Sequence, residues 1–192
     1  MIAILKYNAG NITSVQNALN RLNVESTITN NAALLTAADK VIFPGVGEAN
    51  TAMNFLRELQ LDELIKNLTQ PVLGICLGQQ LMCTHSDEGN TEGLKIFDTK
   101  VKLFPSTGIV PHTGWNNLTE TSGVLFNNCK PDMNFYFVHS YYAEKNKETV
   151  ATCDYLLPFA AALQKDNFYA TQFHPEKSGD AGEIILKNFI AL

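Results

Sequence analysis

The sequence predicts an α/β fold, an open and mostly parallel twisted sheet with helices on both faces and an added section of antiparallel strands. In the first half, short apolar runs alternate with segments of helical period, the βα alternation of a parallel sheet. Between roughly 95 and 155, runs such as TKVKLF and MNFYFVHSYYAE are rich in β-branched and aromatic residues and lack helical period, which points to antiparallel strands. The end of the chain then returns to helical period.

Taken in order, the expected early strands are IAILK at 2–6, VESTI at 24–28, VIF at 41–43 and VLGI at 72–75. Between the first two, Val15, Ala18, Leu19 and Leu22 fall on one face of a helix expected to start at Thr13 or Ser14. That helix should cover the sheet. After NFYATQFHPE a final helix is expected, with Ala181, Ile184, Ile185, Phe189 and Leu192 on one face and Asn188 as its polar interruption.

A chain of 192 residues without a composition shift is expected to form one domain, 1–192. Apolar residues at 45% and charged ones at 17% match ordinary globular usage, which excludes disorder and fibrous repeats. A net charge of -5 with scattered Lys and Arg leaves no footprint for nucleic acid or anionic lipid. MIAILKYN is too short in apolar residues for a signal-peptide core, and no later run has membrane-spanning length, so a cytoplasmic location is expected. Four cysteines without a CxxC pair and four histidines without helical ligand spacing give no support for disulfides or a metal centre.

VLGICLGQQLM places Cys76 after an expected buried strand and before an expected helix, with Gly74 and Gly78 two residues to either side. This is the G-x-nucleophile-x-G elbow pattern with Cys in place of Ser. A strained turn lifts such a side chain above the sheet, and a helix N-terminus favours the thiolate over the thiol. An isolated free cysteine is most often buried and inert, and Cys83 is read that way, while Cys129 and Cys153 carry no motif.

A Cys nucleophile needs an imidazole to take and return a proton, and that imidazole needs a group to fix its tautomer. His174-Pro175-Glu176 suits both roles. Proline disfavours the α region for His174, so an extended stretch is expected, with residues two apart on one side. Donors for an oxyanion are expected from the N–H of Leu77 and from the loop PGVG at 44–47. Alone, HPE also describes an exposed turn and PGVG a tight strand-to-helix loop. The elbow gives both their weight.

With PGxG, GxCxGxQ and HPE in that order, the chain resembles the class I (triad) glutamine amidotransferases over essentially its whole length. GNITSV, PGVGEA, GICLGQQL, VPHTGWN, YFVHSYY and QFHPEKSG resemble the branch that supplies ammonia to a cyclase in histidine biosynthesis. The resemblance implies a flavodoxin-like sheet, with Cys76 as nucleophile, His174 as general base and acid, and Glu176 as the group orienting it. It implies Gly45, Val46 and Gly47 as the oxyanion loop, beside Leu77. Gln80 and Glu88 would hold the amino-acid end of L-glutamine, with His139, Ser140 and Tyr141 lining the same pocket. Without the resemblance, Gln80 reads as an exposed helical residue and His139 and Tyr141 as ordinary strand packing.

The resemblance also implies a heterodimer with a (β/α)8-barrel cyclase, which receives ammonia through a tunnel and makes imidazole glycerol phosphate and AICAR. No cofactor is implied, and glutaminase activity would stay weak until the barrel binds its own substrate. The docking face would include Asn11, His112, Trp115, Tyr136 and Lys177, with the sole Trp as an anchor or a core residue. Two positions depart from the pattern: Gln79 stands where Met is common, and Asn8 where Gly is usual. Alternatives are a paralogue feeding a surface-sugar barrel, a non-catalytic regulatory subunit, or a Cys-based chaperone or peptidase on a related sheet. The intact Cys, His and Glu set weighs against a dead enzyme, and Gln80 with Glu88 against a peptidase.

Overall fold

The computed structural model describes residues 1–192. Four short strands come first: β1 (Ile2–Leu5), β2 (Ser26–Thr29), β3 (Lys40–Phe43) and β4 (Val72–Ile75). Between them lie α1 (Ile12–Arg21), α2 (Ala32–Ala37), α3 (Ala49–Glu58) and α4 (Leu61–Lys66), and α5 (Leu77–Met82) follows β4 after one residue. Next come β5 (His85–Ser86), β6 (Thr91–Glu92), β7 (Lys100–Leu103), β8 (His112–Asn117), β9 (Asn134–His139) and β10 (Tyr141–Ala143). The chain closes with β11 (Thr149–Tyr155), β12 (Leu157–Lys165), β13 (Phe168–Thr171) and α6 (Gly179–Ile190).

The main sheet runs β11-β12-β13-β4-β3-β1-β2, parallel from β13 to β2 and antiparallel across β11, β12 and β13. β1 and β4 are buried at every position, because a parallel sheet covered on both faces has no polar side. Ile2 and Ile4 pack with Val15, Leu19, Ile185 and Phe189, so α1 and α6 share one face. Ala3, Leu5 and Phe43 pack with Met53, Leu56, Ile65 and Leu81, so α3, α4 and α5 cover the other. Each large side chain buried in this way contributes roughly 1.5–3 kcal/mol. No helix is long and apolar enough to cross a membrane.

Two expectations need correction. Helix α1 starts at Ile12, ahead of Thr13 and Ser14, because Asn11 takes the left-handed conformation at φ 73° and its side chain makes no cap bond. Asparagine tolerates that conformation better than most residues. In α6, Ile184 is only half-buried and Leu192 lies exposed beyond the helix, whereas Gly182 and Leu186 are buried. Asn188 has its own task there, donating from Nδ2 to the carbonyls of Leu125 and Asn127 at 2.8 and 2.7 Å.

Within 95–155 the strands pair antiparallel as expected, β7 with β10, β8 with β9 and β11 with β12, and the one parallel neighbour, β5, precedes that stretch. β5 and β7 pair in parallel within the small sheet β10-β7-β5-β6, while β8 and β9 form a separate antiparallel ribbon.

Candidate active site

Adjacent strands deliver the three motifs to one place. β3, β4 and β13 are neighbours and parallel, so their C-terminal ends open on one edge of the sheet. That is the edge where open α/β sheets bind ligands. β3 leads into the loop 44–47, β4 into Cys76, and β13 into 172–176.

Cys76 adopts φ 53° and ψ −104°, a conformation that costs a non-glycine residue on the order of 1–3 kcal/mol. Its N–H donates to the Thr171 carbonyl at 2.7 Å, and its carbonyl accepts from the Gln80 N–H at 3.2 Å. Strand β13 and helix α5 thus hold the turn from both sides. A Cβ on Gly78 would stand 1.9 Å from the Phe43 carbonyl oxygen, and one on Gly74 would stand 3.0 Å from the Gln79 nitrogen. Glycine at both positions lets α5 begin directly against β3 and β4.

His174 Nδ1 lies 2.7 Å from Glu176 Oε1, and both side chains are fully buried. The pair meets locally, though not through an extended chain as expected. Only His174 is extended, and Pro175–Lys177 forms a 3-10 turn. The Asn11 amide also donates to Glu176 Oε1 and sits 3.4 Å from His174 Nδ1. With Nδ1 facing the carboxylate, Nε2 is buried without a hydrogen-bond partner. Burial opposes a charge on this imidazole, but the neighbouring Cys76 sulfur and the Glu176 carboxylate outweigh it and raise its pKa to about 10.

The backbone of this segment is anchored to β9. The His174 N–H donates to the Tyr136 carbonyl at 2.9 Å. Ser178 Oγ donates to the His174 carbonyl at 2.7 Å and accepts from the Tyr136 N–H at 2.9 Å. Ser178 carried no signal of this role in the sequence beyond its place in QFHPEKSG.

A cavity of about 300 Å³ opens beside Cys76. Gln80, Glu88, His139, Ser140 and Tyr141 all line it. So do Val46, Gly47 and Leu77, together with Pro111 and Val138, which lie in the VPHTGWN and YFVHSYY segments but had been given no role. Gln80 is 5% exposed rather than solvated, and its Nε2 donates to the Tyr141 carbonyl at 2.9 Å and to Gln172 Oε1 at 3.0 Å. Glu88 Oε2 accepts from the Ala49 N–H at 2.8 Å, and burial raises the pKa of this carboxylate despite that bond.

The loop after β3 differs from its expected role. The Leu77 N–H donates to the Gly45 carbonyl at 3.2 Å, so the loop presents an acceptor where a donor was expected. In a trans peptide the N–H opposes the carbonyl, so the Val46 N–H points the other way. Tyr7, which no motif marked, pins this arrangement: its hydroxyl donates to the Pro44 carbonyl at 2.6 Å. The Val46 carbonyl accepts from the Gly10 N–H at 3.0 Å.

The profile of the family described as "Glutamine amidotransferase class-I" matches residues 4–192. The chain belongs to this family. Among curated amidotransferase relatives, "Imidazole glycerol phosphate synthase subunit HisH" of Bacteroides fragilis is 58% identical, over 100% of this chain and 99% of its own. The protein of the same name in Pasteurella multocida is 48% identical, over 98% and 96%. A crystal structure described as a glutamine amidotransferase shares the fold, with a TM-score of 0.78 at 18% identity, over 99% of this chain and 97% of that one.

In this amidotransferase the expected docking residues divide into two groups. Trp115 is 58% exposed and pairs across the β8–β9 ribbon with Tyr136, ring centres 5.9 Å apart. Lys177 Nζ lies 6.0 Å from the centre of the Tyr136 ring. His112, expected on the same face, is only 3% exposed. Side chains alternate along a strand, and His112 points inward, stacked on Tyr155 and Phe137. Asn11 is engaged with Glu176, as described above.

His112 Nδ1 lies 3.1 Å from His139 Nε2, and His139 Nδ1 lies 2.7 Å from the Tyr141 carbonyl. A carbonyl only accepts, so His139 donates from Nδ1 and receives the His112 proton at Nε2. Burial lowers the pKa values of His112 to about 4 and of His139 to about 3, which keeps both rings neutral. The two departures from the family pattern are accommodated. Gln79 Nε2 donates to the Ala160 carbonyl at 3.1 Å with Oε1 left unpaired, and Asn8 Nδ2 donates to the Thr51 carbonyl at 3.2 Å.

Proposed function

We propose that this chain is the glutaminase subunit of an imidazole glycerol phosphate synthase, hydrolysing L-glutamine through Cys76, His174 and Glu176. The observation that carries this reading is a strained cysteine in the wall of a cavity lined also by Gln80 and Glu88, with the buried, carboxylate-oriented His174 beside that cysteine. The name printed for the full-length relatives supports the same reading.

Glu88 receives the α-ammonium of glutamine, and Gln80, Ser140 and Tyr141 shape the pocket around the amino-acid end. The Cys76 sulfur attacks the carboxamide carbon, and the carbonyl electron pair moves onto oxygen. His174 Nε2 protonates the leaving nitrogen, the C–N bond breaks, and ammonia departs from the thioester. Water then attacks the thioester carbon while His174 Nε2 takes its proton. The C–S bond breaks and glutamate leaves. Glu176 holds the tautomer throughout without moving a proton itself.

The tetrahedral oxyanion needs N–H donors, and in the resting loop the Leu77 N–H is occupied by the Gly45 carbonyl. Turning the Gly45–Val46 peptide over would free Leu77 and bring the Val46 N–H to the same side. Such a two-state loop suits an enzyme that waits for its acceptor.

The partner in this reading is a (β/α)8-barrel cyclase, docked on the face carrying Trp115, Tyr136 and Lys177 and taking ammonia directly. β9 supports that choice, because the Tyr136 carbonyl accepts from the His174 N–H and the Tyr136 N–H donates to Ser178 Oγ, which itself holds the His174 carbonyl. The setting is cytoplasmic biosynthesis of histidine. A histidine auxotroph lacking its own glutaminase subunit should grow without histidine when it expresses this chain; absence of growth would contradict the assignment.

A further inference from the structure

We propose that Gln172 is a further catalytic residue, whose side-chain N–H donates to the Cys76 sulfur and holds its negative charge in place. The assignment rests on Cys76 being the nucleophile. Gln172 follows β13 directly, is 0% exposed, and has its backbone N–H fixed on the Ala161 carbonyl at 2.8 Å. Its Nε2 lies 3.5 Å from Cys76 Sγ.

The direction of that bond follows from its neighbours. The Tyr141 carbonyl can only accept, so Gln80 presents its NH2 group there, at 2.9 Å. The second N–H of the same group reaches Gln172 at 3.0 Å, so Gln172 accepts with Oε1. Its own NH2 is then left to face the sulfur. The chain Tyr141–Gln80–Gln172–Cys76 has one polarity only, and it ends with a donor on the reacting atom.

A buried amide N–H aimed at sulfur is better satisfied by a thiolate than by a thiol, because charge-assisted hydrogen bonds are the stronger kind. An amide does not release its proton under these conditions, so Gln172 takes no part in the proton transfers of His174. It steadies the charge and the direction of the sulfur. Gln80 lines the cavity, so the same chain ties the nucleophile to the wall on which glutamine sits.

Two variants separate this role from simple support of Gln80. Gln172→Glu keeps an acceptor for Gln80 but removes the amide donor to sulfur, whereas Gln172→Met removes both and keeps the length of the side chain. The full chain is treated with iodoacetamide at pH 7 and pH 10, the modified cysteine is identified by mass spectrometry, and glutaminase kinetics are measured with the barrel partner. Thermal melting confirms that each variant is folded.

Both variants should alkylate at Cys76 about tenfold or more slowly at pH 7, with the gap narrowing at pH 10 where hydroxide supplies the thiolate. With the barrel, kcat should fall by a similar factor and KM by less than about threefold in either direction. Wild-type alkylation by Gln172→Glu with only Gln172→Met slowed would overturn the proposal, since the residue would then act through Gln80. Wild-type rates in both would overturn it as well. If wild-type protein keeps its glutaminase activity after complete alkylation of Cys76, the nucleophile assignment itself fails, a result distinct from either outcome above.

Discussion

The backbone N–H of Leu77, adjacent to Cys76, is hydrogen-bonded to the carbonyl of Gly45 at 3.2 Å. The donor that an oxyanion would need is therefore already in use, and Tyr7 holds the accepting loop through the Pro44 carbonyl. Removing the Tyr7 hydroxyl leaves the Pro44 carbonyl unpaired in the resting loop, a cost of about 1–3 kcal/mol to that state. Tyr7→Phe should therefore raise the glutaminase turnover of the lone chain about threefold or more and shrink the stimulation by the barrel. Steady-state glutamate release with and without the partner would check it.

Glu176 fixes His174 through Nδ1, and Asn11 donates to the same carboxylate oxygen. Glu176→Gln should lower kcat by on the order of 10²–10⁴ with little change in KM, because an amide can present its NH2 to Nδ1 and favour the wrong tautomer. Asn11→Ala should cost less, about tenfold, since it removes support for the carboxylate and leaves the carboxylate in place. A full kinetic analysis of both variants in the complex would decide.

His112 and His139 are both held neutral, with pKa values lowered by burial to about 4 and about 3. An unfolded histidine titrates near pH ~6.5. Between about pH 6.5 and 4 the unfolded chain therefore binds more protons than the folded one, and stability falls as pH drops. The melting temperature should decline by several degrees from about pH 6.5 to 5, below the range in which the raised pKa of His174 adds stability on acidification. His112→Phe should melt lower at pH 7.5, because His139 Nε2 loses its partner, yet decline less on acidification. An equal or steeper decline in the variant would contradict the assignment of neutral rings.

Trp115 is exposed beside Tyr136 and Lys177. Trp115→Ala should weaken binding to the barrel by at least about 2 kcal/mol, roughly thirtyfold, as expected for a central aromatic anchor. The melting temperature of the lone chain should stay within about 1–2 °C, because little of the side chain is buried there. Isothermal titration against the barrel and a thermal melt would separate the two effects.

The early strands were legible because each is an apolar run with no competing pattern, and Cys76 was legible because its glycines answer local clashes, Gly78 with Phe43 and Gly74 with Met82 and Gln79. His174 and Glu176 were found by their spacing, although a 3-10 turn rather than an extended chain joins them. Tyr7 escaped notice because its role depends on a loop 37 residues away. The facing of the Gly45–Val46 peptide was also hidden, since glycine permits either orientation. His112 was placed on the surface because inward and outward positions in the β8–β9 ribbon follow from its pairing, which one strand's sequence does not specify.

In the proposed reaction Cys76 attacks glutamine and the partner governs when it does so. The most direct test is glutamate release by wild-type chain and Cys76→Ala, each alone and with the barrel cyclase carrying its nucleotide substrate. Expected are slow release by the lone wild-type chain, an increase of at least about 10²-fold in the loaded complex, and no release by Cys76→Ala in either state. Glutamate release by the partnered Cys76→Ala variant would contradict it.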